Sequence, residues 1–185
     1  IWKRWSQSPS FRRFKVQLSF DCKNNFAKIW RKMEEKEYTL VFVRKQNEIL
    51  LGMKKRGFGV NKWNGFGGKI EKGETIEQAA IRELHEESGL LVEKLRHVGY
   101  LEFTMRQSNK FMKVHVYDTW TFTEENIQET EEMRPQWFAL DDIPFASMWP
   151  DDPYWLPLYL EGISFRGSIA YSDDDTIIDH DLKEQ

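Results

Sequence analysis

Residues 63–90 read WNGFGGKIEKGETIEQAAIRELHEESGL, a glycine-rich loop that runs into an amphipathic segment. Thr75 can cap a helix there, with Gln78 completing a capping box, and Gly89 stands where helices commonly end in the left-handed conformation. The helix expected over Thr75–Ser88 carries Ile76, Ala80 and Leu84 as a core-seeking stripe and Glu83, Glu86 and Glu87 on the opposite face. Like charges one turn apart repel by roughly 0.2–0.5 kcal/mol, so three stacked acids gain the helix nothing unless a cation lies against them. Hard carboxylate oxygens suit Mg²⁺, with Mn²⁺ as the alternative. The plainer reading is a solvated acidic face, as most charge runs are.

Around this helix the chain reads as alternating strands and turns. Tyr38–Arg44 is rich in β-formers, Lys45–Glu48 is a polar turn and Ile49–Met53 is a second apolar run, together a hairpin. Val92–Met105 and Met112–Phe122 are expected strands around a polar turn, and Trp137-Phe138 a short one. Helical stretches are expected from Asp141 onward and over Asp151–Glu161, with β character at Phe165–Tyr171 and Thr176–Asp181. Strands on both sides of one central helix, with no repeats and no interior linker, predict a single mixed α/β domain over residues 34–185.

Composition supports one soluble domain. A chain of 185 residues, 40% hydrophobic, needs neither disulfides nor a structural metal to hold a core. The lone Cys22 cannot pair within the chain, so a reducing compartment is expected: the cytoplasm, with mitochondrial and nuclear pools as further locations. No apolar run reaches the roughly 20 residues of a membrane helix. Nine of the 27 Lys and Arg but one of the 30 Asp and Glu lie in residues 1–33, giving +8 there. The remaining 18 basic and 29 acidic residues leave the domain at −11. The basic segment is expected to be an unfolded extension or sequence upstream of the true start, with a presequence or a nucleic-acid-binding arm as alternatives.

The frame around the acids narrows their reading. Gly68, five residues, Glu74, seven residues, then Arg82-Glu83-Leu84-His85-Glu86-Glu87-Ser88-Gly89-Leu90 reproduces the Nudix box, GX5EX7REUXEEXGU with U apolar. Seven named and two apolar positions agree by chance on the order of once in a billion starting points. The chain therefore resembles the Nudix hydrolases, which cleave nucleoside diphosphates linked to another moiety with a divalent metal. The resemblance implies an α/β/α sandwich with a mixed sheet and a central catalytic helix. It implies Glu83, Glu86, Glu87, the backbone of Gly67 and Glu132 as metal ligands, with Arg82 pairing with and orienting an acid of the box. Glu129 and Glu131 crowd Glu132, and spacing alone does not choose among them.

Three stretches outside the box are similar to one branch of that family, the animal oxidised purine nucleoside triphosphate hydrolases: Leu51–Gly59 with Lys62–Gly68, Glu132–Pro135, and Met148-Trp-Pro-Asp-Asp152. This likeness spans about residues 38–182. It implies that Asn64, Asp151 and Asp152 hydrogen-bond the purine edge and that Trp149 and Pro150 pack beside it. Phe58, Phe103, Met112 and Met133 would wall the pocket, with Thr39, Lys54, Phe66, Gly67, Gly68 and Lys69 near the nucleotide. Met105, where relatives carry an aromatic, and a slightly longer Thr123–Thr130 loop are departures. Two adjacent buried carboxylates need not both ionise, so the pair could donate as well as accept. The plainer reading makes Asp151 or Asp152 a helix cap, and Phe103, Met112 and Met133 ordinary core.

The expected function is thus Mg²⁺-dependent hydrolysis of oxidised purine nucleoside triphosphates to the monophosphate and pyrophosphate, by a monomer. Nucleic acid is not an expected partner, since a −11 domain repels it. The alternatives are a Nudix enzyme for another diphosphate and a catalytically silent binding module of the same fold. Gly57-Phe58-Gly59 lacks the third glycine of a dinucleotide fingerprint, Gly68-Lys69 does not continue as a Walker A motif, and the four histidines have no zinc spacing.

Overall fold

The continuous apolar run Leu40–Val43 becomes an inner strand of the sheet with both its faces covered. In the computed structural model, which describes residues 33–123, 127–173 and 175–185, β1 spans Glu34–Lys45 with Val41, Phe42 and Val43 all fully buried. A strand buried on both faces is the pattern of a parallel neighbour flanked by helices, and β1 pairs in parallel with β5, Lys110–Thr119. The expectations for residues 1–32 lie outside the described residues.

The remaining strands are β2 (Glu48–Lys54), β3 (Trp63–Asn64), β4 (Arg96–Met105), β6 (Met133–Ala139), β7 (Phe165–Tyr171) and β8 (Ile177–Glu184). They form one mixed sheet in the order β3-β2-β1-β5-β4-β7-β8, with β6 also pairing β2. The β1/β5 and β4/β7 pairs are parallel, and the other pairs are antiparallel.

Alternation along β1 sorts two cores. Val41 and Val43 join Leu50, Phe66, Ala80, Leu84 and Leu90 beneath helix α1, Ile76–Ser88. Phe42 faces the other way, into Leu51, Leu101, Val116 and Phe165, and is covered by Trp155, Leu156 and Tyr159 of helix α2, Asp152–Leu160. One helix on each face of the sheet makes the expected α/β/α sandwich.

The caps read from sequence are present. Thr75 Oγ1 accepts from the Gln78 N–H at 3.2 Å, Gln78 Oε1 accepts from the Thr75 N–H at 2.8 Å, and Gly89 ends α1 at φ 78°. The helix expected from Asp141 is corrected: Leu140–Asp142 and Phe145–Ser147 are separate 3₁₀ turns, split by Pro144, which cannot donate to a continuing helix. The short strand at Trp137-Phe138 extends over all of β6, because β2 offers it a full partner edge. No helix among the described residues is long and apolar enough to cross a membrane.

Candidate active site

The first turns after β3 bring the backbone against the acids of α1. A Cβ on Gly67 would lie 2.0 Å from the Thr39 carbonyl oxygen, and one on Gly68 would lie 2.5 Å from the Glu83 carboxylate. Only glycine permits both approaches. The Gly67 N–H then donates to Glu87 Oε2 at 2.9 Å, and Lys54 Nζ donates to Glu87 Oε1 at 2.8 Å.

The three helix acids share a face but not an environment. The side chain of Glu87 is 4% exposed, that of Glu83 17% and that of Glu86 57%. Burial pushes Glu87 and Glu83 above the usual carboxylate range, opposed by the hydrogen bonds of Lys54 and Arg82 respectively. For Lys54, burial acts to lower the ammonium, but hydrogen bonds and charge from Glu87 and Glu132 outweigh it and hold the group above its usual range.

Arg82 pairs with three acids of the box. Its Nε and Nη2 grip Glu74 at 3.1 and 2.7 Å, Nη1 reaches Glu83 at 2.9 Å and Glu86 at 3.2 Å, and Nη2 also donates to the Lys69 carbonyl. The planar fork suits such bidentate pairing, which holds Glu74 below its ordinary range. Of Glu129, Glu131 and Glu132, it is Glu132 that lines the same cavity as Glu83 and Glu87. It accepts from Lys54 at 3.2 Å and Arg56 at 2.6 Å, whereas Glu129 pairs with Lys55 and Glu131 is 87% exposed.

The second cluster lies where α2 begins. Trp149 stacks near Phe58 at 4.8 Å between centroids, and Lys62 Nζ lies 5.0 Å from the Trp149 ring. Asp151 and Asp152 are buried. Asp151 accepts from the Tyr171 hydroxyl at Oδ1 and from Trp155 Nε1–H at Oδ2, 2.7 Å, while Asp152 Oδ2 accepts the Trp149 N–H at 2.9 Å. Neither side chain caps α2, so the capping alternative is set aside. Burial raises Asp151, and burial with the charge of Asp151 raises Asp152 further.

Both clusters are walls of one cavity of about 740 Å³. It brings together Thr39, Lys54, Phe58, Asn64, Gly67, Gly68, Lys69, Glu83, Glu87, Phe103, Met112, Glu132, Met133, Trp149, Asp151 and Asp152. Thr39 Oγ1 is buried there without a hydrogen-bond partner among the described residues. Phe66 and Pro150 are not on its wall: Phe66 is fully buried in the core beneath α1, its backbone paired with Val41 instead. Arg82 and Glu86 stand outside it as well. Sequence reading gave no role to Tyr38, Lys62, Trp155 or Tyr171, all on the wall, where Met105, the noted departure, also lies. Alternation of buried positions along β7 (Phe165, Ile169, Tyr171) was the available signal for Tyr171.

Among the described residues, no three His, Cys, Asp or Glu side chains converge as a ready metal cage. The carboxylates are turned to Lys54 and Arg82, the nearest cations. The donor set nevertheless fits a hard divalent ion: carboxylate oxygens on one helix face, two of them sheltered, with the Gly67 backbone packed against Glu87.

Residues 33–159 match the family model described as NUDIX domain. The chain belongs to the Nudix family. Nudix hydrolases generally need a divalent metal, in keeping with that donor set. This Nudix domain is 52% identical over 147 residues to the oxidized purine nucleoside triphosphate hydrolase of Mus musculus, covering 80% of this chain and 94% of that protein. The protein of the same description from Danio rerio is 50% identical, covering 79% and 93%. Among solved structures, the mutator MutT protein from Bacillus halodurans superposes with a TM-score of 0.69 at 22% identity, covering 80% of this chain and 97% of that one, a likeness of fold.

Proposed function

We propose that this Nudix domain hydrolyses oxidised purine nucleoside triphosphates, such as 8-oxo-dGTP and 2-oxo-dATP, to the monophosphate and pyrophosphate, clearing damaged precursors from the nucleotide pool. One observation carries the reading: Glu83, Glu87 and Glu132 line the same cavity as Trp149, Asp151 and Asp152, so phosphates and base can be held at once. The names and identities of the mouse and zebrafish relatives support the same reading.

Glu83, Glu86, Glu87, the backbone of Gly67 and Glu132 are the residues that would hold Mg²⁺. Bound there, such an ion would supply charge to neutralise phosphate oxygens and to acidify a water. Arg82 keeps Glu83 and Glu86 oriented through a fork anchored on Glu74. One of these acids would take the proton of the attacking water. Lys54 and Arg56 add positive charge beside the phosphate end. At the other end Trp149 supplies a stacking face, worth about 1–3 kcal/mol per base. Asn64, Asp151 and Asp152 supply polar atoms that discriminate, because a wrong edge leaves buried groups unpaired. The enzyme works as a monomer on free nucleotide, in the cytoplasm and wherever else triphosphate pools are kept.

The test is pyrophosphate release from 8-oxo-dGTP, 2-oxo-dATP and dGTP, with and without Mg²⁺, beside a panel of dinucleoside polyphosphates and nucleotide sugars. Preference for the oxidised triphosphates is expected. Faster turnover of a panel member would replace the substrate, and no turnover of anything would favour a binding module.

A further inference from the structure

The buried pair Asp151–Asp152 is not symmetric, and the asymmetry comes in part from Tyr171, at the end of the strand Phe165–Tyr171. Tyr171 ends β7 opposite Met105 of β4, on the cavity wall. Its hydroxyl donates to Asp151 Oδ1, and Trp155 of α2 donates to Oδ2 of the same carboxylate at 2.7 Å. Asp151 therefore has a neutral donor on each oxygen. Asp152 has one, the Trp149 N–H at 2.9 Å, on Oδ2. Donors to a carboxylate favour its ionised form, and two adjacent buried carboxylates resist ionising together. Lys62 is a cation whose charge reaches the pair; it favours the ionised form of Asp152, but burial and the charge of Asp151 outweigh it. The Tyr171 hydroxyl is itself raised far above neutral, first by burial and then by the charge of Asp151, so it stays a donor.

We propose that Tyr171 is a specificity-determining positioning residue: with Trp155 it fixes Asp151 as the ionised acceptor, so that the shared proton rests on Asp152 and the pair meets the base with donor and acceptor in set places. The inference rests on the oxidised-purine reading of this pocket. It goes beyond that reading in assigning the proton and the residue that places it. At equivalent ring positions 8-oxoguanine carries an exocyclic oxygen and 2-oxoadenine an amino group, one asking for a donor and the other for an acceptor. A proton held in one place suits one of them. The other must shift the proton against the Tyr171 hydrogen bond or sit askew.

Tyr171→Phe removes the hydroxyl and keeps the ring. Two measurements on the full chain then decide. In substrate-free protein carrying ¹³C at the aspartate carboxyls, assigned with Asp151→Asn and Asp152→Asn, Asp152 is expected to titrate above Asp151. In Tyr171→Phe the Asp151 titration is expected to rise by about one pH unit. Equal titrations in wild type, or no movement in the variant, would overturn the placement of the proton. In turnover, the wild-type ratio of kcat/KM between 8-oxo-dGTP and 2-oxo-dATP is expected to differ from one. Tyr171→Phe should move it toward one by about fivefold, through KM with kcat nearly constant. A loss shared equally by both substrates would mark a merely structural role and overturn the specificity claim. Absence of turnover on both in wild type would overturn the substrate reading and the specificity role with it, while the carboxyl titrations still decide where the proton sits.

Discussion

Lys54 on β2 and Glu87 on α1 meet at 2.8 Å, the ammonium of one facing a carboxylate that is otherwise almost wholly buried. Neither residue satisfies its charge locally. The sheet and helix must dock before the pair exists, so this contact couples the fold to the candidate catalytic helix.

Lys54→Met removes that partner and leaves Glu87 with the Gly67 N–H. Loss of a donor to a buried charged group costs about 1–3 kcal/mol, measurable as a lower urea midpoint at neutral pH. The deficit should shrink in acid, where Glu87 takes a proton and no longer needs the cation. A midpoint equal to wild type at neutral pH would mean the pair contributes nothing.

Gly67→Ala and Gly68→Ala should fail in different ways. At Gly67 the new methyl meets the Thr39 backbone, which cannot yield, so a stability loss of about 2 kcal/mol or more is expected. At Gly68 it meets the flexible end of Glu83, so the fold should survive while turnover falls because Glu83 is displaced. Parallel thermal melts and initial rates check the contrast, and similar stability losses in both variants would refute it.

Glu87→Gln keeps shape and removes charge. Turnover should fall by about 100-fold or more while unfolding stays cooperative. Unchanged turnover would remove Glu87 from the chemistry. Chelation of divalent ions should likewise abolish turnover, with the apolar cores keeping the domain folded.

Asp152→Asn bears on the pH dependence of stability. Burial raises the folded Asp152 well above its unfolded value of about 3.9, so the favourable contribution of its proton is complete below that value and is lost as pH rises through the folded one. Replacing it with a neutral amide should stabilise the domain increasingly toward pH 8, and little near pH 4. Asp151→Asn and Asp152→Asn should also depress 8-oxo-dGTP and 2-oxo-dATP turnover unequally. Melting curves across pH and paired kcat/KM values test both claims, and a pH-independent offset with equal losses would count against them.

Trp149→Ala should raise KM for an oxidised purine by about 10- to 100-fold, the scale of one lost stacking partner, with kcat changed far less. A drop confined to kcat would place Trp149 elsewhere in the cycle.

What the sequence determined was local or periodic. The capping box of Thr75 and Gln78 and the glycine stop at Gly89 involve residues within one or two turns, and the face shared by Glu83, Glu86 and Glu87 follows from the helical repeat. The β-rich run Tyr38–Arg44 likewise announced a strand, while the burial of both its faces came from the fold. Pairings across long stretches of chain were decided only by the tertiary structure. Lys54 reaches Glu87 and Glu132 over 33 and 78 residues, and Tyr171 reaches Asp151 over 20. No spacing rule forecasts such meetings, because they depend on strand order and on which side of the sheet each residue faces. For the same reason Phe66, sitting between Gly65 and Gly67 in a loop that reads as nucleotide-binding, turns into the core, while an unassigned tyrosine at the end of β7 lies against the buried acids.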